Sequence, residues 1–121
     1  MLCGLEKLAS VAENCVIGMQ PLWPEPWVVR APGRGVTRTV PVPDPSRCVR
    51  VGAAAGPEVT EIELVLRDPQ GRPLARDSIT GSVALIGLDG PVCADQSGPH
   101  QLHVGARGGH AEVSVQVWRA P

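Results

Sequence analysis

Hydrophobic and polar positions alternate most cleanly between Thr60 and Asp77. Ile62, Leu64 and Leu66 fall on every second residue, with Glu61, Glu63, Val65 and Arg67 between and after them. A period of two marks a strand with one buried face and one wet face. Asp68-Pro69-Gln70-Gly71 then predicts a tight turn, with Pro presetting φ and Gly free to take a positive φ. Leu74 and Ala75 belong to the returning strand, so the stretch is a β-hairpin of an antiparallel sheet.

The same pattern predicts further strands at Val36–Val42, Cys48–Ala53, Glu61–Arg67, Arg72–Asp77, Val83–Leu88, Val92–Ala94, Gln101–Ala106 and Ala111–Trp118. Turn clusters at Gly56-Pro57, Asp89-Gly90-Pro91, Ser97-Gly98-Pro99 and Gly108-Gly109 separate them. In the last strand Val113, Val115 and Val117 point one way, and Ser114, Gln116 and Trp118 the other. Seven to eight short strands spaced by turns predict an all-β chain folded as an antiparallel β-sandwich or jelly roll.

The first thirty residues follow different rules. Residues 4–17 carry a helical stripe, with Leu5, Leu8, Ala12 and Cys15 or Val16 on one face and Gly18 as a stop. A helix of that length is marginal alone and needs a surface to dock on. Gln20 to Trp27 contains three Pro in six residues, which predicts an extended, polyproline-like connector. The expected division is therefore 1–30, a short N-terminal helix and Pro/Trp-rich connector, and 31–121, the sandwich.

Composition narrows the function. The 121 residues carry a net charge of −1, so no broad basic field awaits a nucleic-acid backbone. No run of about eighteen apolar residues predicts a transmembrane helix. Glu6, Lys7, Glu13 and Asn14 break up the early apolar stretch, unlike a signal peptide. Either the protein stays in the cytoplasm, or this chain is a piece of a longer exported one. The chain has three Trp but no Tyr or Phe, so the core must be built from Val, Leu, Ile and Ala.

Candidate chemistry is sparse. Cys48 and Cys93 fall in two predicted strands and can be bridged in a sandwich; buried free thiols are the alternative. Cys3 and Cys15 cannot pair along one straight helix, because twelve residues span about 18 Å. Sequence alone does not choose among the three pairings of four cysteines. His100 and His103, three apart on a strand, belong to opposite faces, so no metal site is expected from them. Asp68, Asp77, Asp89 and Asp95 are the candidate calcium ligands, although Asx turns account for Asp68 and Asp89 equally well. No other cofactor is expected. Without a Gly-x-Ser-x-Gly elbow, a His-Glu-x-x-His helix or a phosphate-binding loop, no enzyme is expected; a Cys93–His100 pair is the one catalytic arrangement considered. Trp23, Trp27 and Trp118 are the candidate binding residues, either stacking on sugars or gripping a protein partner, or else stapling the connector to the sandwich, with Trp118 either packed under the N-terminal segment or an exposed platform.

Glu61-Ile62-Glu63-Leu64, then Asp68-Pro69-Gln70-Gly71 with Leu74-Ala75, resembles the central hairpin of the bacterial pre-peptidase C-terminal domain family. Gly98 to Val104 and Val113 to Val117 resemble its closing strands, with His100 where the family usually has Tyr and Glu61 and Glu63 where Asp is common. The resemblance covers roughly residues 34 to 120. These domains are jelly-roll sandwiches appended to secreted bacterial proteins. The resemblance implies a non-catalytic accessory domain of an exported or envelope-associated bacterial protein, acting in adhesion, targeting or assembly through a protein partner or self-association. The alternative is a carbohydrate-binding module that holds a polysaccharide on its Trp residues.

Overall fold

The computed structural model describes residues 16, 18–43, 47–77, 81–87 and 89–120. The expected helix at residues 4–17 lies outside these, except for Val16 at its end. The described chain is all-β and forms two antiparallel sheets packed face to face. It contains β1 (Gln20–Pro21), β2 (Trp27–Arg30), β3 (Val36–Val42), β4 (Cys48–Ala55), β5 (Glu61–Arg67), β6 (Pro73–Arg76), β7 (Val83–Ile86), β8 (Val92–Cys93), β9 (Gly98–Arg107) and β10 (Glu112–Arg119).

The larger sheet has the order β1-β10-β4-β7, with β2 sharing the β1 side of β10 and β8 sharing the β7 side of β4. The smaller sheet has the order β3-β9-β5-β6. From β2 to β5 the chain changes sheet at every strand, and the long-range pairs β5–β9 and β10–β4 form the middle of the two sheets.

Among the described residues, ten strands replace the expected seven or eight. The two additions come from the Pro/Trp segment, where a connector was expected. Gln20 and Pro21 pair with Arg119 and Trp118, and Trp27 to Arg30 pair with Val115 to Glu112. Proline is tolerated there because β1 and β2 lie on the edge of the sheet, where a missing N–H can face outward.

The alternation is realised in the burial. Ile62, Leu64 and Leu66 of β5 face Leu102, Val104 and Ala106 of β9 as neighbours in the inter-sheet core, while Glu61 and Glu63 face water. Val65 points outward and is still buried, flanked in register by His103 and Arg76. The hairpin β5–β6 carries a bulge, with its register slipping by one residue beyond Leu66 so that Leu74 has no opposite number. Its turn has Gly71 at φ 85°, a conformation suited to Gly. At the β9–β10 turn, Gly108 has φ 95° and leaves no room for a Cβ beside the Glu58 carbonyl and Thr60 amide.

Leu64→Asp should unfold the domain, because an unpaired carboxylate at a fully buried position costs several kcal/mol, comparable with a whole stability of about 5–15 kcal/mol. Glu63→Ala, one residue away on the wet face, should change stability by less than about 1 kcal/mol. Urea denaturation of both variants measures the contrast; similar midpoints would contradict the assigned faces.

Candidate functional site

The Trp-Pro segment builds the most elaborate side-chain cluster. Between the β1 and β2 pairings, Leu22 to Pro26 lie opposite only Gln116 and Val117 of β10, so five residues occupy the space of two. The excess bulges away from the ladder and frees two backbone groups. Gln116 satisfies both. Its Oε1 accepts from the Val117 N–H at 2.9 Å, and its Nε2 donates to the Trp23 carbonyl at 3.1 Å. A buried side-chain amide thus replaces missing strand pairing, as a buried polar group must.

The bulge delivers Trp23 into the inter-sheet core, where it is 8% exposed. Trp27 is half-buried and meets Trp23 edge to face, with ring centroids 6.3 Å apart and planes at 82°. Arg38 reaches them from β3, on the opposite sheet. Its guanidinium carbon lies 4.1 Å from the Trp23 ring centroid and 5.3 Å from that of Trp27. Arg38 shares the inward parity of Val36, Val40 and Val42, so an inward-pointing charge on an edge strand is stabilised against two aromatic rings. The three side chains tie the two sheets together along one open seam.

Trp118 lies elsewhere. Val117 beside it belongs to the inter-sheet core, and Trp118 faces outward, yet it is 5% exposed. The structure therefore joins Trp23 to Trp27 and separates both from Trp118. Cys48 and Cys93 are register partners at one end of β4 and β8 and form a disulfide. Cys93 consequently has no thiolate to offer His100. The His100 ring is fully buried, with Nδ1 3.0 Å from the Gly98 carbonyl and Nε2 without a hydrogen-bond partner among the described residues. His103, on the outward parity, borders a shallow polar groove of about 180 Å³ with Arg34, Glu61, Glu63 and Arg107. The Arg107–Glu61 pair there, 3.9 Å apart and exposed, contributes little.

The carboxylates considered for calcium have structural duties. Asp68 Oδ1 accepts from the Gln70 and Arg72 N–H groups at 2.9 and 2.8 Å, and Oδ2 accepts from Arg72 Nε at 2.8 Å. Burial pushes the Asp68 carboxyl up, but the Arg72 and Gln70 donors and the Arg72 charge outweigh it and hold the group below its usual value. Asp77 closes the other end of the hairpin. Its N–H donates to the Leu64 carbonyl, and its Oδ1 accepts from the Leu64 N–H at 2.9 Å. Here burial is the largest influence, opposed by those N–H groups and reinforced by Glu63 and Glu61, and the Asp77 carboxyl is raised. Among the described residues no three His, Cys, Asp or Glu side chains converge as a metal site.

No family model matches this sequence, and no curated protein matches it. Two structural residues escaped the sequence reading. Arg38 was detectable as the one charge on a strand parity otherwise filled by Val. Gln116 was not, because its role depends on a bulge in a segment ninety residues away.

Arg38→Ala should cost about 1–2 kcal/mol, the sum of two cation–π contacts, and should shift Trp emission to longer wavelength; Arg38→Lys should fall between, lacking the planar stack. Denaturation followed by fluorescence checks the order.

The two aspartates predict opposite pH behaviour. A raised folded value means that Asp77 contributes stability fully present below its ordinary value of 3.8 and lost as pH rises through the folded value. A lowered one means that Asp68 contributes stability present above 3.8 and lost as pH falls through its folded value. Asp77→Asn keeps an oxygen for Leu64 and should raise the melting temperature at pH 7, with the gain vanishing below pH 3.8. Asp68→Asn should lower it at pH 7. Melting curves between pH 3 and pH 7 give both slopes.

Proposed function

We propose that this chain is a non-catalytic accessory β-sandwich domain of an exported or envelope-associated bacterial protein, acting in adhesion, targeting or assembly through its sheet faces and edges. One observation carries the reading: the side chains with most chemical potential are committed to holding the sandwich. Cys48 and Cys93 are bridged, Asp68 and Asp77 close the two ends of a hairpin, His100 is in the core, and Trp23 fills the seam. A disulfide persists in oxidising compartments, which supports export. The alternation of strands between sheets supports a jelly roll, and with the hairpin and closing-strand motifs it supports the likeness of roughly residues 34 to 120 to the pre-peptidase C-terminal domains.

The rival, a polysaccharide-binding module, draws on Trp27, which is half-buried, beside Val28, which is 59% exposed. A single partly covered indole is a small platform for a sugar chain, and its ring is already engaged with Trp23 and Arg38.

Two measurements test the proposal together. Secreted into an oxidising compartment, the protein should carry a Cys48–Cys93 bridge by peptide mapping, and opening that loop by reduction should cost about 3–4 kcal/mol. The same material should fail to sediment with cellulose, chitin or xylan. Retention on any of these, abolished by Trp27→Ala, would replace the accessory-domain reading with the carbohydrate one.

A further inference from the structure

Gly105 is not where a strand normally keeps a glycine. It stands within β9 on the outward parity of the smaller sheet, and the pairing of β9 with β5 runs from Arg107 to Gln101 without a slip. It therefore marks neither a turn nor a bulge. Its φ lies outside the left-handed region, so other residues can adopt its backbone conformation. A Cβ built on it would rest in ordinary contact, 3.8 Å from Glu63 Cβ and 3.9 Å from His103 Nε2. Glycine weakens a strand interior, and here neither conformation nor packing calls for it. The use that remains for such a glycine is to let another molecule come close to the backbone.

The side chains around Gly105 define that molecule. The groove over it, about 180 Å³, has charges of both signs on its walls. Glu63 is the register partner of Gly105 on β5, and Glu61 pairs with Arg107 further along. On the other side of β9, the turn leading into β3 carries Arg34 and is closed by the Gly35 N–H donating to the Pro32 carbonyl at 3.1 Å. The His103 ring leans towards this turn, since a Cβ on Gly35 would stand 3.0 Å from its Cε1 and Nε2. Gly105 thus lies between a strand bearing carboxylates and a turn bearing a guanidinium. Arg107 and Glu61 are 3.9 Å apart, whereas the Glu63 and Arg34 side chains have no ion pair or hydrogen bond among the described residues.

This arrangement disfavours ligands of a single charge. A metal ion would meet two guanidiniums, and a phosphate would meet two carboxylates. The volume is below the roughly 300–1,000 Å³ of a drug-sized site, so the ligand has few heavy atoms. We infer that the groove over Gly105 binds a small zwitterion of the free α-amino acid class, with its ammonium on Glu63, its carboxylate on Arg34 and its α-carbon resting on Gly105. The inference does not rest on the accessory-domain reading, which concerns larger partners.

Titration of the isotope-labelled full chain with L-alanine, followed by amide chemical shifts at pH 7, tests it. Saturable shifts should centre on Gly105, His103 and Glu63. L-Alaninamide, which lacks the carboxylate, and N-acetyl-L-alanine, which lacks the ammonium, should each bind several-fold more weakly, because each loses one charged contact. Gly105→Val should keep the folded spectrum and lose the binding, its side chain filling the floor of the groove; if it unfolds, Gly105→Ala is read by the same criterion. Glu63→Ala should weaken L-alanine without weakening N-acetyl-L-alanine. Absence of saturable shifts, undiminished binding in the folded Gly105 variant, or an equal response to either blocked analogue would overturn the proposal. Shifts at Gly105 that follow protein concentration without any ligand would also overturn it, and would assign the groove to a second copy of the chain.

Discussion

The layer between the two sheets is built almost wholly from short aliphatic side chains, and the rest of the structure answers to that constraint. Without Phe or Tyr, the core fills its central strands with Val and Ala, among them Val51, Ala53, Val104 and Val115. Such side chains gain only by close packing. Where they run out, at the seam between β2 and β3, volume has to come from elsewhere. Trp23 supplies it. To bring Trp23 inward the chain must leave the β10 ladder, and leaving the ladder orphans backbone groups. Gln116 then takes both of them. One shortage of bulk thus accounts for the bulge, the buried amide and the aromatic pair.

Charge is placed with the same economy. Arg38 points inward on an edge strand, where an unpaired guanidinium would be costly, and finds two indole faces. The edge it sits on is also broken by Pro41, which has no N–H to offer a foreign strand. The hairpin β5–β6 is closed by an aspartate at each end, and the two respond to their surroundings in opposite directions. Asp68 meets a cation and two amides at its turn, whereas Asp77 meets burial and two neighbouring glutamates.

Most of the strand skeleton was legible because it depends on local alternation. Val36–Val42 and Glu61–Arg67 are bounded as their pattern predicts, and the turn at Asp68 to Gly71 forms with the expected Asx geometry. The segment 20–30 misled for a definite reason. Three prolines argue against a strand with partners on both sides, and say nothing against a strand with one partner. The side-chain cluster was half legible: Trp23 and Trp27 stand out in composition, while the cation between the sheets and the amide behind them are consequences of pairing across almost the whole chain. The burial of Trp118 was legible only as one of two alternatives, since alternation sets it opposite Val113, Val115 and Val117 without deciding between a covered and an exposed face.

The pairing of β1 and β2 with β10 has a consequence for how the fold is reached. The Gln20 and Arg119 side chains that meet at this edge are 99 residues apart in sequence, and β10 also separates β2 from β4 in the sheet. During synthesis the larger sheet therefore has a gap in its middle until the last described strand arrives. Strands β2 and β4 must wait with unpaired edges, and closure depends on contacts of very high sequence separation. Chains with such non-local order fold slowly and expose sheet edges while they do so. The prolines flanking β2 and the shortness of β1 and β2 protect the finished edge, and they also make the waiting edge of β2 a poor template for a neighbour.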